Sequence, residues 1–275
     1  MSRRPTIGVF DSGVGGLTVL KELVRLIPDA DYLYFGDTAR LPYGSKSPDT
    51  VARFALEAVR YLQGHGAEFM VIACNTASAL ALEAIKGSMK IPVVGIIEPG
   101  AERAAFATIR KTVLVVGTEA TIGSHAYQRA LAAKGVMALE KACPLFVPLI
   151  EEGWTDHNVT QTVAHVYLDE FFQDPRTGPD TLVLGCTHYP LIKQTLRAVA
   201  PWRVEIVDSA ESTALAVAKE LQMIPPKLPV GDPAEQRFMP RMRFFATDSV
   251  ERFRRLGERF MGHTIGNVRH VDIGG

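Results

Sequence analysis

Two apolar runs end on a cysteine followed by polar residues: FMVIACNTAS, residues 69–78, and TLVLGCTHYP, residues 181–190. The chain has three cysteines, so two of them, Cys74 and Cys186, stand at such ends. A lone cysteine is most often a small buried hydrophobe, and Cys143, in EKACPLF, keeps that reading. Cys74 and Cys186 differ because each lies where a strand hands over to a helix, and a helix N-terminus can lower a thiol pKa below about 8.5. The local C-x-x-C spacing of a redox pair is missing, as are the close-spaced ligands of a zinc site. A cysteine hydrolase would need only one nucleophile with a base. Two thiols facing each other across a bound molecule fit a different task. One takes a proton from one face of a carbon and the other returns a proton to the opposite face, inverting a stereocentre.

The neighbours of the two thiols fit that task. His188, two residues after Cys186, could orient or activate the thiol, since histidine titrates near neutrality; the alternative is a helix-start residue satisfied by backbone. Asp11 is either the cap of the glycine turn in DSGVGGLTV or an acid/base assistant for the other thiol. That glycine loop fits neither a Walker A loop nor G-x-G-x-x-G, and is open between a tight turn and an anion cradle. Glu151 and Glu152, in LIEEGW, read by default as solvated carboxylates.

These residues must be positioned by a regular alternation of strands and helices. TIGVFD, DYLYFGD, EFMVIACN, IPVVGII, KTVLVVGT, TLVLGCT, VEIVDS and MRFFATDS read as strands, and CPLFVPLI takes a strand's place before the helical NVTQTVAHVYLDEFF. Leu17, Leu20, Val24 and Ile27 mark a first helix that Pro28 stops. SPDTVARFALEAVRYL starts a second, with Ser47 as cap and Pro48 at the first helical position. TIGSHAYQRALAAKG and PLIKQTLRAVA read as single helices. Near-continuously apolar strands are expected when helices cover both faces of a parallel sheet, so the fold class is α/β. Ligands of such sheets bind beyond the carboxyl ends of the strands. Asp11-Ser12, Cys74-Asn75-Thr76, Gly117-Thr118 and Cys186-Thr187-His188 all fall there. Donors at helix starts favour a carboxylate or phosphate ligand.

Composition narrows the class further. At 275 residues, two domains are the default. Thirty Lys+Arg balance thirty Asp+Glu, so no electrostatic footprint for nucleic acid or an anionic membrane exists. Few, scattered cysteines point to a reducing compartment. No secretory h-region or membrane-length apolar run occurs, so a soluble cytoplasmic protein is expected. The Pro/Gly-rich IIEPGAE, residues 96–102, reads as a crossing between domains, and PPKLPVGDPAEQ, residues 225–236, as a surface loop.

Taken in order, FDSGVGGLTVL, YFGDTARLPYGSKS, ACNTASA, IIEPGA, GTEATIGSHAY, PLFVPLIEEGW, LGCTHYPLI and VDSAES resemble the segments of the glutamate racemases, within the cofactor-independent aspartate/glutamate racemase superfamily. FFATDSVERFRRLG resembles that family's closing strand and helix. The resemblance implies two similar α/β domains with the active site in the cleft between them: residues 1–98 with 209–275, and residues 99–208. It implies Cys74 as base for D-glutamate, assisted by Asp11, and Cys186 as base for L-glutamate, assisted by His188 and Glu151. Asp11, Ser12, Tyr43, Gly44, Asn75, Thr76, Thr118, Thr121, Thr187 and His188 match substrate-binding positions. No cofactor, pyridoxal phosphate included, and no metal is implied. A small-molecule substrate, a homodimer, a role in peptidoglycan synthesis and no N-terminal regulatory extension are expected. The rivals are a superfamily racemase for aspartate or another small acid, and a redox- or metal-responsive binding protein using Cys74 and Cys186.

Overall fold

The computed structural model describes residues 4–174, 176–222 and 240–273. Among the described residues, ten strands form two separate, wholly parallel sheets. The first contains β1 (Thr6–Asp11), β2 (Asp31–Gly36), β3 (Phe69–Ile72), β4 (Val93–Gly95), β9 (Met242–Ala246) and β10 (Val268–His270), in the order β10-β9-β2-β1-β3-β4. The second contains β5 (Thr112–Gly117), β6 (Met137–Ala142), β7 (Thr181–Gly185) and β8 (Glu205–Asp208), in the order β6-β5-β7-β8. The α-helices among the described residues are α1 (Leu17–Leu26), α2 (Pro48–Gly64), α3 (Asn75–Ser88), α4 (Ile97–Ala107), α5 (Glu119–Gly123), α6 (Ala126–Ala132), α7 (Phe146–Glu151), α8 (Asn158–Phe172), α9 (Lys193–Val199), α10 (Ser209–Glu220) and α11 (Val250–Met261). The expected α/β class with two parallel-sheet units is the observed one.

Side-chain alternation along the strands explains why both faces are covered. Ile7, Val9, Tyr32 and Tyr34 join the core with Leu17, Leu20 and Leu23 of α1 and Phe253 of α11. Phe10, Leu33 and Phe35 face the other way, onto Val51 and Ala55 of α2 and Ala77 and Ala81 of α3. Each large apolar side chain so buried is worth about 1.5–3 kcal/mol. The start of α2 is as expected: Ser47 Oγ accepts from the Thr50 amide at 3.4 Å, and Pro48 occupies the first turn. A cap of this kind is worth about 1 kcal/mol.

Three segments depart from the expected pattern. CPLFVPLI is not a strand: Phe146 and Ile150 bury one side of helix α7, and Pro148 lies in its first turn, where no amide hydrogen is missed. The strand in that unit is the preceding MALEKA, an edge strand with no fully buried residue, so it lacks an apolar run. TIGSHAYQRALAAKG is split into α5 and α6 by His125, which adopts a left-handed φ of 54°. PLIKQTLRAVA begins as a 3-10 turn, Tyr189–Ile192, before α9. IIEPGAE is mostly helical, and through α4 the chain passes from the first sheet to the second. The expected loop at residues 225–236 lies outside the described residues.

Candidate active site

Every strand of a parallel sheet delivers its C-terminal end to the same edge. β1 ends at Asp11, β3 precedes Cys74, β5 precedes Thr118 and β7 precedes Cys186. These ends meet at a cavity of about 410 Å³ whose wall includes both Cys74 and Cys186. Of the sequence-predicted residues, Ser12, Tyr43, Gly44, Asn75, Thr76, Thr118, Glu151, Thr187 and His188 also line it. Asp11 and Thr121 do not; they stand behind the wall, 1% and 0% exposed.

On the first-sheet side, Cys74 caps α3 and its Sγ accepts from the Ala77 amide at 3.5 Å. The thiol donates to Ser12 Oγ, also at 3.5 Å. The helix start does not make this thiol acidic. Burial, reinforced by the nearby Asp11 carboxyl, outweighs the amide and hydroxyl donors and pushes it up to about 12. Burial also pushes the Asp11 carboxyl up, against the pull of His188 and the loop amides. Asp11 Oδ2 accepts from the Gly13 amide at 2.8 Å, and Oδ1 accepts from Thr187 Oγ1 at 3.4 Å. It therefore caps the glycine turn and reaches the other thiol's loop as well.

The glycine loop has a use that its sequence left open. A Cβ on Gly15 would fall 2.3 Å from Thr187 Oγ1 and 2.5 Å from His188 Nδ1. The missing side chain lets the loop after β1 press against the loop after β7. Thr18 Oγ1 fixes that contact by donating to the Thr187 carbonyl at 3.0 Å.

On the second-sheet side, Cys186 Sγ lies 4.0 Å from His188 Nδ1. His188 Nε2 lies 3.1 Å from Glu151 Oε1, and Glu151 Oε2 accepts from Arg252 Nη2 at 3.0 Å. Burial alone would lower the imidazole pKa, but Cys186 and Glu151 together hold it up at about 10. At neutral pH His188 is thus an imidazolium, with both ring nitrogens donating. Burial would raise the Glu151 carboxyl, yet the hydrogen bond from His188 and the charges of His188 and Arg252 keep it below the usual range. Glu151 is therefore not the solvated carboxylate that its sequence context suggests by default.

Polar donors complete the cavity. Tyr127 donates to Asn75 Oδ1 at 2.8 Å, which leaves the buried Asn75 Nδ2 without a partner. Buried polar groups rarely go unpaired, so this amide is a donor held ready for an acceptor. Thr76, Thr118 and Thr121 form a hydroxyl triangle with sides of 3.0, 3.3 and 2.9 Å, which links the two units across the cavity wall. Tyr43 donates to the fully buried Asp37, which also receives Arg40 Nε at 2.8 Å and Thr247 Oγ1 at 2.9 Å. That network holds the Tyr43–Gly44 wall. Sequence reasoning missed Tyr127, Asp37 and Arg252. Only the alternating placement of Arg252 on a basic, amphipathic last helix could have drawn attention to it.

Cys143 is buried behind the wall, its Sγ donating to the Lys141 carbonyl at 3.7 Å. All three cysteines are free, and among the described residues no cluster of three or more His, Cys, Asp or Glu could hold a metal. Nor, among those residues, is any helix long and apolar enough to cross a membrane.

The sequence profile of the Asp/Glu/Hydantoin racemase family matches residues 7–217. A glutamate racemase of Koribacter versatilis is 57% identical, with both chains covered in full. Glutamate racemase isoform RacE1 of Bacillus anthracis superposes with a TM-score of 0.88 at 36% identity, over 98% of each chain. A Francisella tularensis glutamate racemase in complex with D-glutamate superposes with a TM-score of 0.84 at 34% identity, over 98% of this chain and 97% of that one. The molecule is thus an isomerase, an amino-acid racemase built on two parallel α/β units. The chain belongs to the Asp/Glu/Hydantoin racemase family.

Proposed function

We propose that the protein interconverts L- and D-glutamate without a cofactor, through proton transfer by two thiols. The observation that carries this reading is that Cys74 and Cys186, each from the end of a strand in a different sheet, line one cavity. One thiolate removes the α-proton while the opposite thiol supplies a proton to the other face. The Asn75 amide, the Thr76 and Thr118 hydroxyls and the amides at the helix starts hold the carboxylates. These donors stabilise the charge that grows on the α-carboxylate as the proton leaves.

The free protein is poised for one direction. Cys74, with its thiol pushed up to about 12, holds its proton at neutral pH. Cys186 has the His188 imidazolium 4.0 Å from its sulfur. Cys186 then abstracts and Cys74 donates, the direction that starts from L-glutamate by the family resemblance. For the reverse reaction the two sulfurs exchange protonation states, and Asp11, which couples to Cys74 and His188, assists the Cys74 side.

The proposal extends to a cytoplasmic homodimer supplying D-glutamate for peptidoglycan synthesis, and to two domains, residues 1–98 with 209–275 and residues 99–208. The test is circular dichroism or polarimetry of each glutamate enantiomer with reduced protein and no added cofactor. Both solutions should relax to the racemate; unchanged optical activity would overturn the reading. Aspartate, run in parallel, separates the neighbouring specificity.

A further inference from the structure

The last helix, α11, reaches the Cys186 side of the site from the first-sheet unit. Arg252 and Arg259 lie seven residues apart and share one side of the helix. Arg252 Nη2 donates to Glu151 Oε2 at 3.0 Å, while Glu151 Oε1 faces His188 Nε2 at 3.1 Å. Arg259 Nη1 donates to the Glu151 carbonyl at 3.0 Å and to the Ile150 carbonyl at 3.5 Å, at the C-terminus of α7. Cations suit a helix C-terminus, where carbonyls lack partners. Gly153 makes room for this grip. Its φ of 86° is left-handed, and a Cβ there would fall 3.0 Å from Arg259 Nη1. The next residue, Phe260, sets its ring edge-to-face against His188, with centroids 5.2 Å apart. One helix thus touches the carboxylate, the main chain that bears it, and the imidazole.

We infer that Arg252 is a positioning residue that fixes Glu151, and through it His188, so that the Cys186 side is assembled only when α11 is seated on α7. A carboxylate has two oxygens, and here each has one task. Oε2 is tied to the guanidinium, so Oε1 is presented to the imidazole in one orientation. An untethered glutamate would rotate, and His188 would lose the partner that sets its ring against the sulfur. On the Cys74 side the sulfur's direct partners, Ser12 and the Ala77 amide, come from the same unit as the cysteine. The inference rests on the two-thiol reading above.

The test compares the full-length protein with Arg252→Gln and Arg252→Lys by three readouts. Carbon NMR of the Glu151 carboxyl in ligand-free protein should show its titration moved up in Arg252→Gln and brought back toward the original by Arg252→Lys. An unmoved Glu151 in Arg252→Gln overturns the assignment. Glutamate kinetics should show kcat reduced roughly 10-fold in Arg252→Gln with KM within about twofold, partly recovered in Arg252→Lys. A raised KM with kcat retained would make Arg252 a substrate contact instead. With α-deuterated substrates, the isotope effect should rise for the enantiomer whose proton Cys186 removes and fall for its mirror image. Equal changes in both would mark a general structural role and overturn the assignment. The Glu151 titration needs no turnover, so failure of the racemase reading, seen as no glutamate racemisation by the unsubstituted protein, is distinguishable from failure at Arg252.

Discussion

Cys74 and Cys186 end equivalent strands in two parallel sheets, yet their surroundings are built from different chemistry. Cys74 touches a hydroxyl and a backbone amide, with a buried carboxyl beyond. Cys186 faces an imidazolium backed by a carboxylate and a guanidinium, a run of alternating charges that ends at the surface on Arg252. Burial is similar, at 5% and 6% exposure. The difference lies in which charged groups stand close. Similar strand ends can carry two thiols with unlike surroundings, because each loop recruits partners from elements far away in sequence. A racemase has to present a base on one side and an acid on the other at the same moment. Under the two-thiol proposal, the unlike neighbours serve that division of roles.

The largest effect expected of any substitution is loss of either sulfur. Cys74→Ser and Cys186→Ser should each reduce glutamate racemisation by about 10³-fold or more, since a hydroxyl is far less acidic than a thiol. Cys143→Ser, behind the wall, should stay within about twofold. Initial rates from both enantiomers measure this; a cavity cysteine variant with near-normal turnover in both directions would break the pairing.

A smaller loss should follow from pushing the two loops apart. Gly15→Ala places a methyl against Thr187 and His188, whose positions are fixed by Thr18 and Glu151. Activity should drop about 10- to 100-fold and stability by roughly 1–3 kcal/mol. Urea unfolding and kinetics on one preparation measure both; a fully active, stable variant would mean that the contact can relax freely.

The last expected effect concerns pH and sharpens the contrast in charge. His188 has a pKa of about 10 against an ordinary 6.5, so its charged contacts stabilise the fold fully below about pH 6.5. That contribution is lost as pH rises through about 10. Over this interval the protein should lose more stability than its His188→Gln variant, as read from urea midpoints at successive pH values. Parallel declines would show that the imidazolium adds nothing on this side.

Much of the site was legible because its residues follow strands directly. An apolar run, a cysteine and a helix start are contiguous signals, and they brought Cys74 with Asn75 and Thr76, and Cys186 with Thr187 and His188, to the cavity. The glycine loop was legible as a turn but not as a contact, since its partner, Thr187, is more than 170 residues away in the chain. Glu151 looked solvated because the sequence does not say that His188 and Arg252 enclose its carboxyl. CPLFVPLI looked like a strand because apolar content alone does not separate a short buried helix from a buried strand. MALEKA went unrecognised because an edge strand can be half polar.

The sequence by itself determined the α/β alternation, the capped start of α2 and the pairing of two thiols at strand ends. Those depend on local periodicity, turn chemistry and chain direction, which neighbouring residues carry among themselves. Only the tertiary structure decided the charge around each sulfur, the orientation of the Asn75 amide by Tyr127, and the reach of α11 to Glu151. Electrostatic and hydrogen-bond energies depend on separations of a few ångströms between groups distant in sequence, and only the folded chain sets those separations.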